Sequence, residues 1–261
     1  MAGDATPVPE APIELSEPVP AAALCTAPAA TLGADLAGSG ALWWHGADLG
    51  QSTPLSWPTH DGSLPAIPTD PNAGNGARLR TEAGAGLQCR AGTHCGFVAP
   101  DAAPEASTAT LAVRWATPHG EEARTLLTLN TGGAARKAEG ENYLFLSETE
   151  GILSAKDDAG LVAAELPCTG EGPHLAVASL AADTLALFLD GEETRASAGA
   201  PVLQGTASLF IAARNQRPKL FKTLGSALIL DVWLWPGRAL LLEDDPGILN
   251  ALRRYHLWAE A

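Results

Sequence analysis

The chain has 261 residues and is short of positive charge: 16 Lys and Arg stand against 30 Asp and Glu, for a net charge of −14. No Lys or Arg occurs before Arg78. Such a chain has no general attraction for phosphate backbones, so nucleic acid is not an expected partner. No run of about 18 apolar residues occurs, which excludes a membrane-crossing helix and predicts no membrane insertion. The opening MAGDATPVPE lacks the basic and apolar regions of a signal peptide. The chain is therefore expected to stay in the cytoplasm, or to leave by a route not written at its N-terminus, such as on a released particle.

Methionine occurs once and aromatic residues make up only 5%, yet seven of them are Trp. Cysteine is also sparse: Cys25, Cys89, Cys95 and Cys168. Cys89 and Cys95 enclose RAGTH, a spacing open to a small disulfide loop. With His94 alongside, it is also open to a metal. Zinc wants four ligands in paired close spacings, and only this cluster is local, so ordinary reduced cysteines are the favoured reading.

Gly (27) and Pro (20) are plentiful. Residues 1–40 are rich in Pro and Ala, acidic and free of aromatics. The prolines prevent a helix and favour extended chain. This arm reads either as a plain tail or as a tether to a protein partner, with Ile13 and Leu15 as its apolar points. In TDPNAGNGA, Asp70, Asn72 and Asn75 are oxygen donors that would suit calcium. Asn and Gly are also what tight turns need, and the turn is favoured. No other cofactor is suggested.

From residue 107 a period of two dominates, the signature of half-buried strands. Ala109, Leu111, Val113 and Trp115 share one face of STATLAVRW. Leu185, Leu187 and Leu189 align in TLALFLDGEET, and Asp190-Gly191 then signals a hairpin. Ala207, Leu209 and Ile211 align in TASLFIAAR. No helical pattern intervenes until EDDPGILNALRRYHLWAEA, where Asp245 offers an N-cap and Pro246 a first turn. Ile248, Leu252 and Tyr255 fall on one face of that helix. The pattern predicts an all-β, two-sheet antiparallel jelly-roll sandwich over 41–244, preceded by the extended arm and closed by a short C-terminal helix at 245–261.

Two segments carry a family resemblance. PHLAVASLAADTLALFLDGEE (173–193) resembles the W-H-x-V-A…L-x-L-Y-V-D-G segment of laminin-G-like, concanavalin A-like lectin domains. GSALILDVWLWPGRALLLED (225–244) looks like their closing G-x-I-D-D-V-R-I-Y-x-R-A-L segment. ADLGQSTPLSW and STATLAVRWATP match more loosely. Pro173 stands where the family has Trp, and Leu230 replaces the first Asp of the Asp pair. The resemblance implies a jelly roll that binds carbohydrate or protein. Some members bind calcium at the rim, but no calcium carboxylate aligns with this chain.

Catalytic signatures are missing. The β-glucanases of this fold carry E-x-D-x-E on one strand, and none occurs. G-x-S-x-G, a P-loop and H-E-x-x-H are absent too. SETEG places Glu148 and Glu150 in alternation, but beside Gly151, which reads as a solvated hairpin tip. The chain is accordingly expected not to be an enzyme.

Sugar binding needs aromatic faces with planar hydrogen-bonders, presented on end loops. NTGGAARKAEGEN offers Asn130, Arg136 and Asn142. ARNQRPK offers Arg214 and Asn215, and WWHGAD offers Trp44. These are the candidate ligand residues. The leading expectation is a noncatalytic lectin-like module that attaches to a cell-surface or capsular polysaccharide. It would be tethered by the arm, in the manner of a head spike on a phage-like particle. The alternatives are a structural subunit that assembles with other copies or proteins and binds no sugar, and a polysaccharide hydrolase or lyase built on Glu148 or Glu150.

In GSALILDVWLWPGRAL, strict alternation puts Leu228, Leu230, Val232 and Leu234 on the core face. It puts Ala227, Ile229, Asp231, Trp233 and Trp235 on the other. Trp usually packs, so that second face is expected to lie under the terminal helix, opposite Leu252 and Tyr255.

Overall fold

The computed structural model describes residues 32, 35–36, 38–50, 55–72, 77–81, 84–132, 141–170 and 172–259, with backbone only for 77–81 and 258. The described strands form two antiparallel sheets. The first runs β14 (Glu192–Ser197), β13 (Thr184–Leu189), β12 (His174–Ala181), β7 (Thr108–Ala116), β16 (Leu228–Pro236), β5 (Gly84–Gln88) and β4 (Ala77–Thr81), with β1 (Leu42–His45) also pairing with β16. The second runs β11 (Ala163–Pro167), β10 (Ile152–Asp157), β9 (Tyr143–Thr149), β8 (Arg124–Asn130), β15 (Ala207–Ile211), β6 (Phe97–Ala103), β3 (Pro65–Pro68) and β2 (Trp57–Pro58). The C-terminal helix α1 (Gly247–Ala259) follows Asp245, whose carboxylate accepts the Gly247 N–H at 2.9 Å. This is the two-sheet sandwich with a short C-terminal helix that the alternation predicts.

The interior between the sheets is mostly aliphatic, with a few aromatic rings among the leucines and valines. Leu111, Val113 and Trp115 of β7 and Leu185, Leu187 and Leu189 of β13 meet Leu127, Leu129, Leu146, Leu209 and Ile211 of the second sheet. A second apolar layer lies on the other face of the first sheet. There Trp233, Trp235, Phe188 and Val177 pack against Leu252 and Tyr255 of α1 and against Leu32 and Leu36. Residues 1–31 lie outside the described residues, and with them Cys25, Ile13 and Leu15. Leu32 and Leu36, assigned to the arm by composition, are buried in this layer.

The two tryptophans of β16 share the helix-covered face, with the Trp233 and Tyr255 rings edge-on at 5.6 Å. The strict alternation expected for β16 needs one correction. Ala227 and Ile229 face the main interior together with Val232 and Leu234. The pairing with β7 runs Ile229 opposite Trp115 and then Asp231 opposite Arg114, so Leu230 is an extra residue. This bulge reverses the parity of everything before it. A period-two pattern cannot register such an insertion when all the residues around it are aliphatic.

The bulge places Asp231, 1% exposed, between β7 and β1 beneath the helix. Its Oδ1 accepts from Trp43 Nε1 (3.2 Å) and Tyr255 Oη (3.3 Å) and pairs with His45 Nδ1 (2.6 Å). Arg114, 3% exposed, approaches Oδ2 at 3.7 Å and donates to the Ala259 carbonyl at 3.1 Å. Burial disfavours a charged His45, but the Asp231 hydrogen bond and charge outweigh it, and the imidazole's pKa is raised.

Candidate functional site

Three connections meet at one end of the sandwich and enclose a cleft of about 380 Å³. Thr117, Pro118, His119, Gly120 and Glu121 come from the β7–β8 link, Glu148 and Gly151 from the β9–β10 hairpin, and Cys168 and His174 flank the β11–β12 link. The hairpin turns on Glu150 and Gly151, both at positive φ (53° and 71°), so the chain reverses within two residues. Glu150 is exposed at the tip, whereas Glu148 is 6% exposed and turned into the cleft wall. The Glu148 carboxylate accepts the Ala123 N–H at 2.8 Å and the Gly151 N–H at 3.2 Å. Glu121 lines the same space and is exposed.

His174 opens β12 and is nearly buried against the Trp115 ring, 5.3 Å between centroids. Asp190 holds it from the β13–β14 turn: His174 Nδ1 lies 2.6 Å from Asp190 Oδ2, and the Leu175 N–H donates to Oδ1 at 2.8 Å. That turn is the expected Asp190-Gly191 hairpin, with φ of 48° and 123°. The Asp190 hydrogen bond, followed by one from Cys168, pushes the imidazole up to about 10 against the penalty of burial. The protonated ring is thereby favoured at neutral pH, held as an ion pair with the Asp190 carboxylate. On the far side of His174, Asp190 also borders a second groove of about 460 Å³, with Phe188, Arg253 and His256 in its lining. Burial, followed by the Arg114 charge, holds the His256 imidazole down to about 4.

The residues singled out for sugar contact lie elsewhere. ARNQRPK does not project as an end loop; it folds back over the outer face of the second sheet. Asn130 Nδ2 donates to the Arg214 carbonyl at 3.0 Å, and Asn130 Oδ1 accepts the Gly132 N–H at 2.7 Å. The Arg214 guanidinium sits 3.6 Å from the Phe145 ring centroid and donates to Thr125 Oγ1 at 3.0 Å. Burial lowers the Arg214 pKa. Asn215 is buried, with Oδ1 on the Arg217 N–H. Asn142 joins Asp157 and the Val202 carbonyl, both at 3.0 Å. Trp44 is fully buried in the main core. Arg136 lies outside the described residues. Asn130 and Arg214 are thus brought together, while Asn142 and Trp44 take separate places in the framework.

Among the described residues, no group of three His, Cys, Asp or Glu side chains converges as a metal site. Cys89 and Cys95 are buried free thiols, and His94 reaches instead to the Pro218 carbonyl at 3.0 Å. Asn72 donates to the Gly96 carbonyl at 2.8 Å, and Asn75 lies outside the described residues.

His119, Glu121, Cys168, His174 and Asp190 belong to no catalytic motif in the sequence. One signal was available. The Asp190-Gly191 turn fixes the β12–β13 register, which pairs Ala176 with Leu189 and therefore brings Asp190 beside Leu175 and next to His174. Nothing in the sequence ties this pair to Trp115, which it meets through long-range pairing of β12 with β7 just before the β7–β8 link, or to Glu148, which belongs to the other sheet.

The described residues define a two-sheet antiparallel β-sandwich with a carboxylate- and imidazole-lined cleft at one end. Solved structures with a similar fold include sialidases of Trypanosoma rangeli. The sialidase alone aligns with a TM-score of 0.52 at 15% identity, over 85% of this chain and 33% of that one. The sialidase in complex with sialic acid aligns at 0.55 and 16%, over 82% and 33%. A mutant displaying trans-sialidase activity aligns at 0.57 and 16%, over 85% and 34%. The chain spans about a third of the length of these sialidases. At this identity the likeness establishes the fold. No protein-family model matches the chain, and no curated protein sequence matches it.

These findings correct the expectation of a noncatalytic lectin-like module that is not an enzyme. The structural neighbours are enzymes, sialidases by name. The physical premise of that expectation also fails. The sequence places Glu148 at a solvated hairpin tip, whereas in the structure it is a buried carboxylate facing a cleft. Alternation gives the face of a residue within its strand, not what the neighbouring connections fold over it.

Proposed function

We propose that this chain is a glycoside-acting β-sandwich whose working cleft is the one carrying Glu148 and Glu121. The observation that supports it is two carboxylates in one cleft with the His174 imidazolium. Glycoside cleavage uses a carboxyl pair, one group protonating the leaving oxygen and the other serving as base or nucleophile. Two backbone N–H groups fix Glu148 in orientation, as a reacting carboxylate requires. The imidazolium offers a positive charge to an anionic sugar that the chain's net charge would otherwise repel. Sialic acid, named with one structural neighbour, is such a sugar and the first to try. Other cell-surface or capsular polysaccharides are the wider class.

Kinship with laminin-G-like, concanavalin A-like lectin domains belongs to the same proposal. It is supported by the β12–β13 hairpin and by β16, which hold the two matching segments. Attachment to a protein or a virus-like particle through the arm rests on residues 1–31, outside the described residues.

The test is turnover of a panel of aryl glycosides, sialosides included, by the full chain. Glu148→Gln is expected to lower kcat by about 100-fold or more. Glu121→Gln, at an exposed position that does not threaten folding, is expected to lower it as well. No turnover of any glycoside by the native chain, or unchanged kcat in both variants, refutes the proposal.

A further inference from the structure

The second groove, of about 460 Å³, lies between α1, the β11–β12 link and the β13–β14 turn. Its floor is apolar: Leu175 of β12 and Phe188 of β13, each 1% exposed, belong to the layer beneath the helix. Pro173 adds an apolar edge from the link, and Leu257 adds one from α1, where it is 41% exposed. Spacings of three and four residues put Arg253, His256 and Leu257 on one face of α1, and all three line the groove. The Arg253 guanidinium carbon lies 4.6 Å from the Phe188 ring centroid. Among the described residues no carboxylate pairs with Arg253. The one carboxylate of the groove, Asp190, is already committed: Oδ2 faces His174 Nδ1 at 2.6 Å and Oδ1 accepts the Leu175 N–H at 2.8 Å. His256 Nε2 stands 3.9 Å from the same Oδ1. The His174–Asp190 charges offset each other, so Arg253 supplies the charge that is left over.

We propose that this groove binds a small aromatic carboxylate, with the carboxylate on Arg253 and the ring laid over Leu175 and Phe188. The volume is that of a site for a ligand of one ring and a short side chain. A guanidinium is planar and carries its N–H groups at its edge, so one held over a ring can still meet both oxygens of a carboxylate. The ligand's ring would bury apolar surface that Leu257 now exposes to water. A sugar acid fits less well, because the floor offers it no hydrogen-bonding side chain and a sugar ring carries several hydroxyls to satisfy. A cationic ligand would meet Arg253 as a like charge. The groove shares the His174–Asp190 pair with the carboxylate cleft as a common wall. The proposal does not rest on glycoside chemistry, because it is read by binding and not by turnover.

The experiment titrates the full chain at pH 7 with 3-phenylpropionate, by calorimetry at low ionic strength. A Kd of about 1 mM or tighter is expected for a ligand of this size. The neutral analogue 3-phenylpropanol should bind about tenfold more weakly, for want of the charged hydrogen bonds. Arg253→Gln should weaken the acid by about the same factor and leave the alcohol unchanged. Leu257→Ser, at an exposed position that does not threaten folding, should weaken both ligands about threefold or more. No binding of the acid at about 10 mM overturns the proposal, since an occupied site of this volume should be filled there. It is also overturned if the alcohol binds as tightly as the acid, or if the acid's Kd is unchanged in Arg253→Gln or in Leu257→Ser. Glucuronate binding more tightly than 3-phenylpropionate overturns the assignment of an aromatic ligand in favour of a sugar acid.

Discussion

The buried carboxylate of Asp231 offers a sharp test of what fastens the C-terminal helix. Asp231→Asn keeps the shape and an oxygen for Trp43 and Tyr255 but removes the negative charge. The Arg114 guanidinium, 3% exposed and 3.7 Å away, then loses the Asp231 carboxylate from a nearly dry site. Breaking a buried pair from one side costs about 3–5 kcal/mol, because the surviving charge is neither hydrated nor matched. For a domain of this size that is a fall of about 10 °C in Tm. Urea unfolding followed by Trp fluorescence reports it directly, since Trp43 and Trp233 stack beside the site at 5.9 Å. Removing both charges while keeping an oxygen for Trp43 and Tyr255, with Asp231→Asn and Arg114→Met together, should recover most of the loss. The His45 pair adds a pH signature. Its folded pKa is raised above 6.5, so its contribution is complete below 6.5 and fades as pH rises through the raised value. That fade should vanish in Asp231→Asn. A single variant within about 1 kcal/mol of the native chain, or a double variant no better than the single, refutes the reasoning.

Two further outcomes follow from the helix-covered layer. Trp233→Ala removes a fully buried indole packed on Trp43 and Tyr255 and should cost about 3–5 kcal/mol in urea unfolding; a cost below about 1 kcal/mol would mean that the helix is not seated on it. His256, held down to about 4, contributes stability that is complete above 6.5 and is lost as pH falls from 6.5 toward 4. Amide exchange in α1 should accelerate over that range, and His256→Phe should flatten the response; equal acceleration in both chains counts against it.

The strands were legible because one face of each is buried and alternation records that directly. Ala109, Leu111, Val113 and Trp115 carry the signal, as do Leu185, Leu187 and Leu189. The terminal helix was legible from Asp245 and from the spacing of Ile248, Leu252 and Tyr255. The tryptophans of β16 were legible as a covered face because large rings are seldom left in water. Three things depended on contacts between residues far apart in the chain. The Leu230 bulge decided which aliphatics face the core, and it set Asp231 opposite Arg114. The fold-back of ARNQRPK used Asn130 and Arg214 to clasp a sheet face. The cleft brought Glu148, Cys168 and His174 together from three separate connections. Sequence alone determined the elements, because burial leaves a periodic trace within each one. Tertiary structure alone decided which polar side chains are spent on the framework and which face open space, because hydrogen-bond partners and enclosing loops come from strands far apart in the chain and leave no local period.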